Sequence, residues 1–228
     1  MLEITNLTKS FRRAGAKAAE TPLNGAEMRI ERAEIVALTG KSGEGKSTIA
    51  RLLCGTLRAD AGRVTLNGEF LLDGKRYNRD IGRVIGLVPQ QPYAALDPRQ
   101  RLGDAVAEPL LARRLVSSRT EAKTRAAQLF AEVSLGAELL DRLPSQVSGG
   151  QAQRAAIARV LGTEPKLLIA DEATSMLDPA AQAVIINVLK SLVLTRGISV
   201  LLISHDPELV DNTADRVYAL SGGKINIE

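Results

Sequence analysis

The chain has 228 residues, of which 45% are hydrophobic and 25% charged, and its formal net charge is +4. This balance is typical of a globular protein with a sizeable core, arranged as one large domain or two small ones. Because Cys54 is the one cysteine, an internal disulfide is excluded. No apolar run approaches the roughly 18 residues that cross a bilayer, and the N-terminal residues lack the order of a signal peptide. We therefore expect a soluble, cytoplasmic chain that reaches a membrane only through a partner.

Basic residues are dispersed along the chain, and the densest group is Lys75, Arg76, Arg79 and Arg83. Proteins that bind nucleic acid commonly carry a larger basic excess on one face. We interpret this group as part of a solvated face and expect no nucleic acid partner.

Strands and helices are predicted to alternate in the first part of the chain. Residues 34–40 form an apolar run that ends in glycine, which indicates a buried strand, and residues 46–57 have helical spacing. Residues 63–68 alternate and end in a turn, and residues 84–90 predict a further strand.

The middle of the chain, from about residue 97 to 146, has a helical pattern. Ser118 followed by Glu121 predicts a capping box, and the helix should continue through about Val133.

Strands return at residues 166–171 and 198–204, with a helix from about Pro179 to Thr195 between them. Alternating strands and helices at both ends of the chain, with a helical insert between, predict an α/β fold. We expect a mostly parallel sheet flanked by helices, and a helical subdomain.

The segment between the first buried strand and its helix is GKSGEGKS, residues 40–47, which matches the phosphate-binding pattern G-x-x-x-x-G-K-[ST]. Glycines let the backbone wrap closely around phosphates, and the helix N-terminus favours negative charge. Lys46 is suited to the β- and γ-phosphates and Ser47 to Mg²⁺. A glycine-rich turn without a ligand is the alternative interpretation. The predicted nucleotide-binding residues here are Gly40, Lys41, Ser42, Gly43, Glu44, Gly45, Lys46, Ser47 and Thr48.

An apolar strand ending in two carboxylates, LLIADE, spans residues 167–172. Asp171 is suited to hold Mg²⁺ through water, and Glu172 to polarise an attacking water. Solvated acids at a strand end are common, so this motif alone is weak evidence for a metal site. Together with the phosphate-binding loop it becomes strong evidence.

A third motif, VSGGQAQR, covers residues 147–154 and opens a helical stretch with Ser148, Gly149 and Gly150. A glycine-lined helix N-terminus is a possible second phosphate cradle. From the residues alone, an ordinary N-cap is the better interpretation.

The combination of these motifs resembles the ATP-binding cassette (ABC) family, whose signature motif is matched by SGGQAQR in the family's order. The resemblance implies an ATP-hydrolysing motor subunit of an ABC transporter that drives a separate membrane permease. It also implies a single domain over residues 1–228. A P-loop NTPase core with an N-terminal antiparallel β portion would occupy about 1–90 and 150–228, and the helical subdomain about 91–149.

The resemblance extends to single residues outside the three motifs. Gln90 matches the family's Gln that contacts Mg²⁺, Asp178 ends a D-loop-like SMLD, and His205 matches the switch histidine. Phe11 stands where an aromatic stacks on adenine. The implied catalytic residues are Lys46, Gln90, Glu172 and His205, and the implied Mg²⁺ residues are Ser47, Gln90 and Asp171.

The family architecture pairs two cassettes head to tail, as a homodimer or with a paralogue. Each ATP would lie between the phosphate-binding loop of one copy and Ser148, Gly149, Gly150 and Gln151 of the other. The resemblance places such a pair on the cytoplasmic face of the cell membrane.

Residues 90–110 resemble the corresponding region of ATPases in the peptide and nickel importer group, and the loop after Phe11 suits that group. The resemblance implies an extracytoplasmic solute-binding protein that acts through the permease. The segment after His205 lacks the His-Pro-Tyr-Thr-like motif of that group, which leaves the substrate open.

An exporter motor is the alternative within transporters, although exporters commonly fuse the cassette to membrane helices. DNA-repair and chromosome-organising ATPases need a long coiled coil, and no sustained heptads separate Lys46 from Ser148. Translation-factor-like members carry two cassettes, and a non-catalytic cassette would lack Lys46, Glu172 or His205.

Overall fold

The computed structural model describes residues 1–11 and 20–228, so part of the loop after Phe11 lies outside the described residues. The strands are β1 (Leu2–Phe11), β2 (Glu20–Ile30), β3 (Ile35–Thr39), β4 (Ala61–Leu66), β5 (Glu69–Asp73), β6 (Arg76–Tyr77), β7 (Ile85–Val88), β8 (Leu167–Asp171), β9 (Ser199–Ile203), β10 (Arg216–Ser221) and β11 (Lys224–Ile227). The helices are α1 (Lys46–Leu53), α2 (Ile81–Val84), α3 (Leu102–Ala112), α4 (Arg119–Glu132), α5 (Gly149–Leu161), α6 (Pro179–Arg196) and α7 (Pro207–Asp211). Short 3₁₀ turns cover Pro92–Ala94, Ala137–Leu139 and Pro144–Gln146.

The strands form two sheets. Six strands in the order β11-β10-β3-β9-β8-β7 form a sheet that is parallel except where β11 pairs with β10. The other five form an antiparallel sheet in the order β2-β1-β4-β5-β6. The expected α/β fold, with a mostly parallel sheet and an N-terminal antiparallel portion, is confirmed.

The six-stranded sheet lies between two hydrophobic layers, since alternate side chains of a strand point to opposite faces. Leu168 and Ala170 of β8 pack with the helical side of the molecule, which includes α3, α4, α5 and α6. Leu167 and Ile169 pack with α1 and the antiparallel sheet. Burial on both faces explains why the central strands are continuous apolar runs in the sequence.

The predicted strands all form, and two details of the helices differ from expectation. Helix α1 ends at Leu53, before the predicted end near residue 57, because Gly55 turns the chain with a φ of 71°. Helix α4 has Ser118 as its N-cap, as predicted, with the Ser118 hydroxyl accepting from the Glu121 N–H. The Glu121 carboxylate, however, accepts from the Ser117 N–H, so the capping box is not reciprocal.

Residues 91–149 contain helices and 3₁₀ turns and no strand, which agrees with a helical insert. Their side chains join the same hydrophobic layer as α5, α6 and the sheet. The proposed division at residues 90 and 150 stays a prediction. None of the helices in residues 1–11 and 20–228 is long and apolar enough to cross a membrane.

Candidate nucleotide-binding site

Four parallel strands end at one edge of the six-stranded sheet, and each leads into a predicted site segment. Strand β3 leads to Gly40, β7 to Gln90, β8 to Glu172 and β9 to His205. Ligands of open parallel sheets bind outside the carboxyl ends of the strands. The topology therefore brings together motifs that are far apart in the sequence.

The loop between β3 and α1 wraps closely because its glycines adopt positive φ angles. Gly45 has a φ of 109°, and a Cβ atom there would lie 2.7 Å from the Cβ of Pro22. Gly40 has a φ of 136°, and a Cβ atom there would lie 2.6 Å from the carbonyl oxygen of Leu220. Both contacts are closer than real Cβ atoms approach, so the loop requires glycine at these positions.

The side chain of Lys46 is buried beneath this loop. Its Nζ donates to the carbonyl oxygens of Gly40 at 2.6 Å and Lys41 at 2.9 Å. The Glu44 carboxylate accepts from the Lys41 N–H at 2.7 Å and so closes the loop on itself. The ammonium group is thus held against the first two residues of the loop, and α1 begins at Lys46.

Asp171 and Ser47 meet where β8 ends beside α1. The Ser47 hydroxyl donates to Asp171 Oδ1 at 3.2 Å. Burial raises the pKa of Asp171, and the charge of Glu172 raises it further, whereas the Ser47 hydrogen bond lowers it. A hydroxyl and a carboxylate oxygen so close together form a donor pair suited to a hard cation.

Glu172 lies between Gln90 and His205. Its Oε2 accepts from Gln90 Nε2 at 3.1 Å, and its Oε1 lies 3.5 Å from His205 Nδ1. Gln90 also donates to the Ser175 hydroxyl at 3.0 Å, and that hydroxyl donates to the Glu172 carbonyl oxygen at 3.0 Å. Glu172 has a φ of 50°, a conformation that is uncommon outside glycine and concentrates at functional sites.

A cavity of about 310 Å³ opens between these groups. The residues that line it are Ser42, Gly43, Gly45, Lys46, Ser47, Thr48, Gln90, Asp171 and Glu172. Within residues 1–11 and 20–228 no cluster of three or more His, Cys, Asp and Glu side chains could hold a metal by itself.

The SGGQ segment forms the N-terminus of α5 and does not line this cavity. The Ser148 hydroxyl accepts from the Gln151 N–H at 3.2 Å, and the Gln151 side chain accepts from the Ser148 N–H at 2.9 Å. Ser148 and Gly149 are exposed, whereas Gly150 packs closely on Ala181. The N-cap that the residues favour is present, here as a reciprocal capping box, and Ser148 and Gly149 have exposed surface within the described part of the chain.

Asp178 and Phe11 also lie outside the cavity lining. The Asp178 carboxylate caps α6 by accepting from the Ala181 N–H at 2.9 Å. Phe11 ends β1 with its side chain 37% exposed, and the Lys9 ammonium lies 5.4 Å from the centre of its ring. An exposed ring suits stacking by a ligand, and the structure leaves this assignment a prediction.

Two residues at the site were not predicted from the sequence. Ser175 joins Gln90 to the backbone of Glu172, as described above. Gln153 of α5 is 1% exposed and donates through Nε2 to the carbonyl oxygen of Pro89 at 2.9 Å. Helical spacing could have indicated Gln153, because it shares a face with the buried residues Gly150 and Ile157.

The parallel sheet, the glycine loop that begins a helix and the acidic strand end together define a P-loop NTPase. Comparison with known proteins narrows this class. The ABC transporter family matches residues 23–175, and the chain belongs to that family. It is an ATP-binding and ATP-hydrolysing subunit of an ABC transporter.

Curated relatives are similar over most of the chain. The nickel import ATP-binding protein NikE of Escherichia coli (strain K12) is 38% identical over an alignment of 230 positions, which covers 99% of this chain and 85% of that protein. The oligopeptide transport ATP-binding protein OppF of Salmonella typhimurium is 38% identical over 199 residues, which are 87% of this chain and 60% of that protein.

Solved structures of similar cassettes agree with the fold. A bacterial ABC transporter cassette, MJ0796, solved as a dimer in a post-hydrolysis state with ADP and phosphate, has a TM-score of 0.87 at 28% identity, covering 100% of this chain and 98% of that one. The cbiO1 protein of Clostridium perfringens, part of the transporter complex cbiONQ, has a TM-score of 0.84 at 28% identity and covers 99% of this chain and 86% of that one.

Proposed function

We propose that this chain hydrolyses Mg²⁺-ATP in the cavity between α1 and the end of β8, and that hydrolysis drives an importer permease. The observation that carries the proposal is the convergence of Lys46, Ser47, Asp171, Glu172 and Gln90 on one cavity of about 310 Å³. These groups supply a cation for phosphate, oxygen donors for a metal and a carboxylate beside them. Phosphoryl transfer needs this combination, since it depends on positioning and charge stabilisation.

The loop from Gly40 to Thr48 is assigned to the phosphates. Its backbone curvature and the start of α1 favour an anion, because the amide groups at a helix N-terminus carry partial positive charge. Lys46 would exchange its bonds to the Gly40 and Lys41 carbonyl oxygens for bonds to phosphate oxygens. Phe11 is assigned to the adenine ring.

Ser47, Asp171 and Gln90 are assigned to Mg²⁺. These side chains would hold the ion, and its charge would supply electrostatic stabilisation of hydrolysis. The fit rests on the 3.2 Å contact between Ser47 Oγ and Asp171 Oδ1 and on their shared cavity with Gln90. Burial raises the pKa of Asp171, and a cation bound beside it would favour the ionised carboxylate.

Glu172 is assigned to the attacking water, as the group that accepts its proton. Gln90 and His205 hold the carboxylate from two sides, at 3.1 Å and 3.5 Å. Such support fixes a carboxylate in a productive orientation, which general-base catalysis requires. His205 is also assigned to the γ-phosphate.

A second copy or a paralogue is assigned to the other side of the nucleotide. The N-terminus of α5, with Ser148, Gly149, Gly150 and Gln151, is exposed at its first two residues and would complete the site of the partner, and Asp178 would lie at the same interface. These residues are outside the cavity of their own chain, which supports a site shared by two chains. MJ0796, which has a similar fold, is dimeric in its solved structures.

The transported solute is assigned by similarity to the class that NikE and OppF represent, which is nickel, peptides or a related small solute. A permease partner, a solute-binding protein outside the membrane and a location on the cytoplasmic face are proposed on the same similarity. An exporter motor is the second candidate, and the import names of these relatives favour the first.

Co-purification of the tagged chain from its native cell, followed by ATPase assays with Mg²⁺ and with a chelator, tests the proposal. We expect a multi-span permease to co-purify and the chelator to abolish hydrolysis. A complex with no membrane protein, or hydrolysis that is unchanged by the chelator, would refute it.

A further inference from the structure

Helix α5 has a side-chain amide deep in the protein that the assigned chemistry does not use. Gln153 is 1% exposed, and glutamine is seldom buried to this degree. Its Nε2 donates to the carbonyl oxygen of Pro89 at 2.9 Å. A buried amide without such a bond would be costly, so the contact fixes the side chain in one orientation.

Pro89 is the residue between the end of β7 and Gln90. Proline has no N–H group and a fixed φ, so its carbonyl oxygen is the group through which a hydrogen bond can hold its backbone. Gln153 therefore fixes the path of the chain immediately before Gln90.

Gln90 in turn contacts and positions the carboxylate of Glu172. Its Nε2 donates to Glu172 Oε2 at 3.1 Å and to Ser175 Oγ at 3.0 Å. A continuous series of contacts thus leads from α5, whose first residues follow Ser148, through Pro89 and Gln90 to Glu172.

We propose that Gln153 is a positioning residue for ATP hydrolysis, which holds Gln90 against Glu172 and makes that position depend on the placement of α5. The proposal rests on the proposed function of Gln90 and Glu172. The N-terminus of α5 would contact the nucleotide bound by the partner, and Gln153 of the same helix contacts Pro89. The site in one chain would thereby respond to the site that its own α5 completes in the other.

Gln153→Met retains the length of the side chain and removes its donor. Because Lys46 and the phosphate-binding loop are untouched, we expect KM for ATP to change by less than about twofold. We expect kcat of the assembled complex to fall about tenfold, the size of one lost hydrogen bond.

A double-mutant cycle separates positioning from a purely structural role. If Gln153 acts through Gln90, then Gln153→Met has no further effect on kcat in a Gln90→Ala complex. Independent, multiplicative losses in kcat would overturn the proposal. Asn78→Leu is the control, because Asn78 Nδ2 also donates to a backbone carbonyl, that of Phe70 at 3.0 Å, beside the antiparallel sheet, and its Oδ1 accepts from the Asp80 N–H. This control should change thermal stability and leave kcat within about twofold.

A second readout uses the isolated chain and does not depend on activity. The side-chain amide signals of Gln90 in a ¹⁵N-correlated NMR spectrum should shift or broaden in Gln153→Met, and unchanged signals would overturn the proposal. Gln153→Leu serves the same tests should the Met variant fail to fold. A wild-type complex without ATPase activity would refute the proposed function together with this inference, whereas an active complex with independent effects would refute this inference alone.

Discussion

Replacement of Glu172 by glutamine changes one oxygen for an amide nitrogen and retains the shape of the side chain. The amide oxygen can still accept from Gln90 Nε2, which lies 3.1 Å from the carboxylate, so the cavity should keep its form. The lost function is proton acceptance from water. Loss of a well-placed general base costs about 10²- to 10⁴-fold, equivalent to about 3–5 kcal/mol in the activation free energy.

Glu172→Gln should therefore affect two measurements differently: ATP turnover by the assembled complex and equilibrium binding of a fluorescent ATP analogue. We expect hydrolysis to fall at least about a hundredfold while affinity stays within about twofold, and the bound nucleotide should stabilise a dimer on gel filtration. Glu69→Gln, an exposed position on β5, is the matched control and should leave both quantities unchanged. Hydrolysis near the wild-type rate by Glu172→Gln would refute the catalytic assignment.

The other predictions concern the phosphate-binding loop and the acidic strand end. Lys46→Ala should weaken binding of the fluorescent ATP analogue about 10- to 100-fold, since a hydrogen bond to a charged group contributes about 1.5–3 kcal/mol; unchanged affinity would mean that the loop is not the phosphate site. Burial raises the pKa of Asp171, so the folded, nucleotide-free protein favours the protonated carboxyl group. This contribution to the free energy of unfolding is present at low pH and is lost as pH rises through the raised pKa. Asp171→Asn should therefore raise the thermal unfolding midpoint at neutral pH without nucleotide and abolish the gain in ATP affinity that Mg²⁺ gives; a lower midpoint would contradict this reasoning. Gly45→Ala should destabilise the fold by about 1–3 kcal/mol in denaturant titrations and more than Gly43→Ala does, because a Cβ at 45 would meet Pro22 at 2.7 Å whereas one at 43 has open space. Equal losses in the two variants would count against the close contact.

The sheet and the main site motifs could be predicted because each depends on short-range pattern. Residues 166–171 and 198–204 form continuous apolar runs, and a strand buried on both faces needs such a run. The glycines of loop 40–47 allow the positive φ angles that its tight backbone needs, so the loop can be recognised from local sequence. Once these strands lie parallel, their carboxyl ends must meet, and the motifs come together without further information.

The sequence pattern did not predict the polar contacts between distant segments of the chain. The bond from Gln153 to Pro89 joins residues 64 positions apart and depends on how α5 packs against β7. The hydrogen bonds of Ser175 depend likewise on the approach of Gln90 to the end of β8. Helix α1 was predicted too long because apolar spacing continues to Leu57, although Gly55 ends the helix locally. Polar contacts between distant segments have no periodicity, so no pattern indicates them.

A site shared by two chains is the central claim, and mixing two inactive variants tests it most directly. Lys46→Ala and Ser148→Arg, each in a separately tagged chain, are combined in the assembled transporter, and ATP hydrolysis is measured in the mixed complex. In a head-to-tail pair one site carries both lesions and the other carries neither. We expect up to about half of wild-type activity in the isolated mixed dimer, because one of its two sites is intact, and about a quarter in the unsorted mixture, in which about half of the dimers are mixed. No activity above that of either variant alone, with the mixed dimer isolated through both tags, would contradict the account.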